Sequence, residues 1–280
     1  MERDVRIWHQ SMTDLTRLPG YSGMLREHAL RVGDGELRVD LHGLDARTYA
    51  DGVPPVAMCG YPWFQHLADV QIVENAMAAE RAGYDAVAIS CFVDPGLELA
   101  RSVVDIPVVS SCETSLIVAS AVGRSFGLIT LDRAMVRILT TLVRSYGYAD
   151  RVVFLSAFDP PVDEFELDGA FKGSRALIDR FTELARRAIA AGADVIIPAE
   201  GVLNTVLVRN GMRDIDGTPV LDSYGSLLRF AHLLARMREL TGLRTGRSGA
   251  YARPSPQIVD GIGRLTSDIL MKCARDAALV

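Results

Sequence analysis

Two side chains stand out for the chemistry they could do, Cys91 and Glu200. Each directly follows a short apolar run, Ala86–Ser90 for the thiol and 195–199 for the carboxylate, of the length and composition of a buried strand. In an open parallel sheet, ligands gather beyond the carboxyl ends of the strands, where loops aim side chains and free N–H groups. A thiol and a carboxylate placed there can each take or give a proton. A planar carbon held between them would be reached from both faces. Cys91 leads into Phe92-Val93-Asp94-Pro95-Gly96, a turn opening a helix, and a thiol at a helix N-terminus is expected to favour thiolate. Glu200 precedes Gly201-Val202 and a helix over 202–209. A carboxylate just after a buried strand is costly unless it is paired or used. Its ordinary alternative is to cap that helix.

Other strand ends complete a ring of candidate contacts. His9, Gln10 and Ser11 close the first apolar run, and Thr130 lies near the end of another over 127–131. Hydroxyls and backbone amides at such ends suit a carboxylate or an enolate oxygen. His9 is the one histidine of five at a strand end, although a lone histidine is more often structural. Glu113, in Ser110-Ser111-Cys112-Glu113-Thr114-Ser115, stands between a strand and a helix and either lines the pocket or joins a cap. Phe92, Val93, Gly201 and Val202 are carried into the candidate site by their neighbours Cys91 and Glu200. Cys59 and Cys273 read as small buried hydrophobes, and Tyr61-Pro62-Trp63-Phe64 as core or subunit contact as readily as substrate wall.

The elements that must hold these residues alternate along the chain. Strand-length apolar runs fall at Val5–Ser11, 37–41, Ala86–Ser90, 107–110, 127–131, 152–156, Val195–Pro198 and 219–222. Amphipathic helical segments lie between them at 23–31, 66–82, 96–103, 115–123, 133–146, 174–191, 202–209 and 224–240, the pattern of βαβ units and a parallel sheet. Several helices stop at a glycine, Gly83, Gly147, Gly192 and Gly242, as a left-handed cap requires. The most telling feature is an internal repeat. Ala82-Gly83-Tyr84-Asp85-Ala86-Val87-Ala88-Ile89-Ser90-Cys91 aligns without a gap on Ala191-Gly192-Ala193-Asp194-Val195-Ile196-Ile197-Pro198-Ala199-Glu200. Further on, Ile106-Pro107-Val108-Val109-Ser110-Ser111 matches Thr218-Pro219-Val220-Leu221-Asp222-Ser223. Any two βα units look somewhat alike, but two matches in the same order with similar spacers favour a duplication. It would bring Cys91 and Glu200 face to face.

The expected architecture is therefore α/β, two pseudo-symmetric halves, each a parallel sheet flanked by helices, with the active site in the cleft between them. The first half takes residues 1–120 plus part of the C-terminal segment, and the second takes 121–235. Residues 236–280, a Gly/Arg/Pro-rich loop and a last helix, should pack back on the body. A chain of 280 residues has room for this core. Its net charge of −5, with scattered arginines, argues against a nucleic-acid surface. No run approaches the ~18–20 apolar residues of a membrane span, and the charged start MERDVRIWHQ does not read as a signal peptide. The four cysteines are far apart, with no ligand spacing for a metal, which suggests reduced thiols in a cytoplasmic protein and no metal site.

The segments Cys91-Phe92-Val93-Asp94-Pro95-Gly96-Leu97, Ile106-Pro107-Val108-Val109, Phe126-Gly127-Leu128-Ile129-Thr130 and Gly192-Ala193-Asp194-Val195-Ile196-Ile197 resemble the aspartate/glutamate/hydantoin racemase superfamily, over most of residues 5–235. Ile7-Trp8-His9-Gln10-Ser11 stands where many members carry an Asn-Pro-Asn type segment. The resemblance implies a homo-oligomeric, cofactor-independent enzyme acting on a small molecule, with one cysteine per half as acid and base around an acidic carbon. Members include amino-acid and hydantoin racemases, maleate isomerases and arylmalonate decarboxylases. The first cysteine carries over onto Cys91. Glu200, in Pro198-Ala199-Glu200-Gly201, falls where the second is expected. A carboxylate has a lower reference pKa than a thiol (~4.3 against ~8.5), so the pair is asymmetric and favours a one-way reaction. The first expectation is an isomerase or racemase acting on a small carboxylate or hydantoin-like substrate. A hydrolase or decarboxylase, with Cys91 as nucleophile or proton donor and Glu200 as acid/base, is the alternative. A non-catalytic small-molecule binder is the reading from another class.

Overall fold

Alternating apolar runs and amphipathic segments fold as βα units in the computed structural model, which describes residues 4–259 and 261–262. In the first half β1 (Val5–Ser11), α1 (Pro19–Gly33), β2 (Leu37–His42), α2 (Pro55–Cys59) and α3 (Pro62–Arg81) precede β3 (Ala86–Ser90), α4 (Leu97–Val103), β4 (Val108–Ser110) and α5 (Ser111–Val122). The second half runs through β5 (Phe126–Thr130), α6 (Arg133–Ser145), β6 (Val152–Ala157), α7 (Glu164–Ala170), α8 (Arg175–Ala190), β7 (Val195–Pro198) and α9 (Gly201–Arg209). A short antiparallel pair, β8 (Asp214–Ile215) and β9 (Thr218–Pro219), then leads to α10 (Ser223–Thr241).

Two parallel sheets result, ordered β2-β1-β3-β4 and β6-β5-β7. β3 and β7 are buried along their whole length, as near-continuous apolar runs between two helical layers must be. The fourth place in the second sheet is only a single parallel bridge from Ile196 to Val220. The strand expected over 219–222 shrinks to this bridge because Pro219 has no N–H for a ladder and turns back on β8 instead. α1 starts earlier than its apolar spacing indicates, with Pro19 in its first turn. The short α2 and α7 have no counterpart in the apolar periodicity, since five and seven residues hold too little of a 3.6-residue repeat.

The duplication is visible in the register. Ile7 opposes Ala86 and Ser11 opposes Ser90, while Phe126 opposes Val195 and Ile129 opposes Pro198. Overlaying these pairs puts Ser11 on Thr130 and Cys91 on Glu200. The repeated aspartate does the same work twice. Asp85 accepts the Arg6 N–H at 2.8 Å and donates its own N–H to the Arg6 carbonyl at 2.8 Å. Asp194 accepts the Ser125 N–H at 3.1 Å and donates to the Ser125 carbonyl at 2.9 Å. Gly83 and Gly192, two residues earlier, turn the chain with φ of +76° and +95°.

α10 leaves the second half and packs on β1, β3, β4 and α5 of the first, so residue 235 lies inside this helix. Beyond it, Arg247 donates to the Arg101 carbonyl at 2.7 Å and to Asp105 at 2.8 Å, and Arg253 pairs with Asp105 and Glu80. The segment thus returns to the first half. The last helix expected after Pro256 falls largely outside the described residues, as does Cys273. Among the described residues no helix is long and apolar enough to cross a membrane.

Candidate active site

The carboxyl ends of the two sheets meet around a cavity of about 500 Å³, mouth included. From the first half come Ser11-Met12-Thr13 after β1, Ser90-Cys91-Phe92 after β3, Tyr21 of α1, and Pro55, Val56 and Cys59 of α2. The second half supplies Met135 of α6, Glu164 of α7 and Glu200-Gly201-Val202 at the start of α9. Cys91 and Glu200 therefore share one cavity. At the junction of the halves, a β-carbon on Gly201 would stand 2.8 Å from the Tyr21 hydroxyl, so a side chain there would have to displace the phenol.

Cys91 is partly buried, its Sγ 3.3 Å from the Met12 Sδ. Burial pushes the thiol well above its ordinary pKa. The Val93 N–H pulls the other way, and the Asp94, Glu200 and Glu164 carboxylates add to the rise. This reverses the expectation of a favoured thiolate, for a geometric reason. α4 begins only at Leu97, after a turn with Asp94 at φ +45° and Gly96 at φ +64°, so its N-terminal amides are not at the sulfur. The turn is anchored by the buried Asp94 carboxylate. It accepts from Ser110 Oγ at 2.6 Å, Cys112 N at 2.8 Å, Glu113 N at 2.9 Å and the Tyr146 hydroxyl at 2.8 Å. Burial still outweighs those donors and raises Asp94 to about 6.

Glu200 caps α9, its Oε2 accepting the Leu203 N–H at 2.7 Å, while it also lines the cavity. The capping and cavity readings of this residue therefore coexist. Burial raises its pKa against the amides of Leu203, Val202 and Gly201, which favour the charged form. Glu164, the first residue of α7, accepts the Val56 N–H of α2 at 3.1 Å, a bond between the two halves. Burial first, and then the Glu200 charge, push it up past neutrality.

The remaining sequence candidates divide. Ser11, Phe92, Gly201 and Val202 line the cavity with Cys91 and Glu200. His9 lies two residues, roughly 6–7 Å of strand, below the end of β1. It is fully buried edge-on to Tyr224, and burial lowers it to about 3, so the ring is neutral. Gln10 faces α3, accepting from Asn75 at 2.9 Å and from Trp8 at 3.1 Å. Thr130 donates to the Ala199 carbonyl at 3.1 Å, fixing the backbone just before Glu200. Val93 presents its amide to the Cys91 sulfur. Glu113 is paired with Arg101, Oε1 to Nη1 at 2.9 Å, outside the cavity wall. Sequence reasoning missed Met12, Tyr21, Cys59 as a lining residue, and above all Glu164. The run Asp163-Glu164-Phe165-Glu166 carried a helix-start signal, with Asp163 capping the amides of Phe165 and Glu166. Nothing in it marks which acid turns inward.

A family model described as Asp/Glu/Hydantoin racemase matches residues 48–231. The hydantoin racemase of Pseudomonas sp. (strain NS671) is 28% identical over 191 residues, 68% of this chain and 72% of that protein. That of Rhizobium meliloti is 31% identical over 175 residues, 62% of this chain and 68% of that protein. Among solved structures, the allantoin racemase from Klebsiella pneumoniae shares the fold with a TM-score of 0.72 at 21% identity, over 90% of this chain and 94% of that one. The allantoin racemase from Pseudomonas fluorescens does so with a TM-score of 0.68 at 20% identity, over 90% and 98%. The family match spans more than half of the sequence and agrees with the resemblance read from its motifs: the chain belongs to the Asp/Glu/hydantoin racemase family.

Proposed function

We propose that this protein is a cofactor-independent isomerase that moves a proton at the acidic ring carbon of a hydantoin-like substrate, with Cys91 on one face and Glu200 on the other. The observation that carries the reading is that these two residues, at equivalent strand ends of a duplicated fold, line one cavity. In the resting site the thiol keeps its proton while the Glu200 carboxylate is held by helix amides. Glu200 then removes the proton next to the ring carbonyl, and Cys91 delivers one from the other side. Among the described lining residues there are two carboxyl groups and no Lys or Arg. Such a wall offers a free carboxylate no countercharge and suits an uncharged ring with N–H and C=O groups, which favours the hydantoin-like of the two substrate classes suggested by the sequence. The names of the curated relatives, hydantoin racemases, point the same way.

The test is turnover of an optically pure 5-substituted hydantoin in deuterium oxide. Loss of optical activity with deuterium at the ring carbon is expected, and Cys91→Ala should abolish both. A ring-opened acid or carbon dioxide without deuterium in recovered substrate would instead mark Cys91 as a nucleophile, or the reaction as a decarboxylation.

A further inference from the structure

The cavity contains one carboxyl group that this reaction has not used, beside the Tyr21 phenol and the Cys59 thiol, both held neutral by burial. Glu164 is 6% exposed and sits on a different element from Cys91 and Glu200, beside Pro55, Val56 and Cys59 of α2. It faces the same cavity as both. Glu200 and Glu164 are solvated differently. Glu200 has the amides of Gly201, Val202 and Leu203 at the start of α9, whereas Glu164 has those of Val56 and its own residue. Two buried carboxylates near one another do not both ionise readily. The richer set of amides favours the charge on Glu200 and makes Glu164 the better place for a shared proton. The titratable groups whose fields connect with Glu164 are Glu200, Asp163, Cys91, Cys59, Tyr21 and Tyr49. Each is neutral or negative, so none favours its ionised form.

Removing a proton next to a carbonyl places negative charge on the carbonyl oxygen. No cationic side chain lines this cavity among the described residues, so the charge must be met by a neutral hydrogen-bond donor. We propose that Glu164 is a further catalytic residue, a neutral carboxylic acid that hydrogen-bonds the ring carbonyl oxygen as it becomes an enolate. The inference rests on the proton-transfer reading above and assigns that site its electrophile. In the step, an O–H bond forms on Glu200 as the C–H bond breaks, and the electron pair moves to the carbonyl oxygen. There it is held by the Glu164 O–H. The pair returns to carbon as that carbon takes the Cys91 proton on the opposite face. Water then reprotonates Cys91 and accepts the proton from Glu200, and Glu164 ends as it began.

Infrared spectroscopy of the intact protein at pH 7 reads the proton directly. A protonated-carboxyl C=O band is expected in the wild type, shifted in deuterium oxide, and in Glu164→Gln it should lose most of its intensity, leaving only the minor share from Asp94. Glutamine keeps both an acceptor for the Val56 N–H and a donor for the substrate. Glu164→Gln should therefore stay within about tenfold of wild-type kcat and lose the alkaline limb of the pH profile that Glu164 ionisation causes. Glu164→Leu should lose roughly 100–1,000-fold in kcat with little change in KM, the usual effect of deleting one such donor. A missing band, a band of undiminished intensity in Glu164→Gln, or a glutamine variant as impaired as the leucine variant would each overturn the assignment. A wild type with the band that exchanges no deuterium at the ring carbon would sink the reaction, and this role with it, while leaving Glu164 protonated.

Discussion

A thiol that holds its proton at neutral pH is a poor nucleophile and a serviceable acid, so the environment of Cys91 suits proton delivery better than covalent attack. Its elevated pKa is partly the work of its neighbours, since the Glu200 carboxylate adds to the effect of burial. Removing that negative charge must lower the thiol pKa. Glu200→Gln keeps an acceptor for the Leu203 amide and deletes the charge, so two observables should move in opposite directions. Iodoacetamide should alkylate Cys91 faster than in the wild type at neutral pH, while turnover should fall by about 100-fold or more. Alkylation that is unchanged, measured as a rate against pH, would mean that the two groups do not feel each other. The sequence brought both residues forward as candidates because each follows a recognisable strand, and both line the cavity. It could not identify Glu164, whose distinction from Glu166 two residues on depends on which side of a two-turn helix faces the other half.

At the scale of elements, the loop after β3 is the joint that holds Cys91 in place. Asp94 ties that loop to the first turn of α5 and, through the Tyr146 hydroxyl beyond α6, to the second half. Tyr146→Phe removes one of its four side-chain and backbone donors. The loss should be about 1 kcal/mol, the net worth of one hydrogen bond, seen as a Tm lower by roughly 2–4 °C for a chain of this size. It should also raise the Asp94 pKa above its present value of about 6, since a donor to the charged form is gone. A Tm unchanged in Tyr146→Phe would show the tie to be idle. Apolar periodicity located this strand and its neighbours closely, since β1, β3 and β7 run from Val5 to Ser11, Ala86 to Ser90 and Val195 to Pro198. Periodicity says nothing of short helices, and so it left out α2 and α7, the two elements that bring Val56 and Glu164 together.

For the molecule as a whole, the carboxyl groups buried at the meeting of the halves impose a pH dependence on stability. Glu164, Glu200 and Asp94 have folded pKa values above their unfolded ones. Their contribution is complete below the unfolded carboxylate range, about 4. It diminishes as pH rises, through about 6 for Asp94 and higher for Glu164. His9, held neutral by burial and lowered to about 3, acts with the opposite sign as pH rises toward the ordinary histidine range. A comparison with Glu164→Gln isolates the glutamate. Between pH 5 and pH 8 (about the span from just above the unfolded carboxylate pKa to mildly alkaline), Tm should fall more in the wild type than in the variant. Parallel curves would mean that Glu164 ionises normally. The two-fold frame itself was legible in the sequence, because the repeated Gly-x-Asp and its strand occur twice at matching spacing. The unequal solvation of its acids was not, because helix amides become visible only when the chain is folded.

The contact of Tyr21 with Gly201 has a consequence for how the halves are spaced. One half contributes a rigid phenol and the other a bare backbone, and between them there is less room than a methyl group occupies. The width of the cleft is thus gauged at this point. Thickening the glycine side would wedge α1 from α9 and widen the gap between Cys91 and Glu200, even though neither Tyr21 nor Gly201 has a part in the proposed proton transfer.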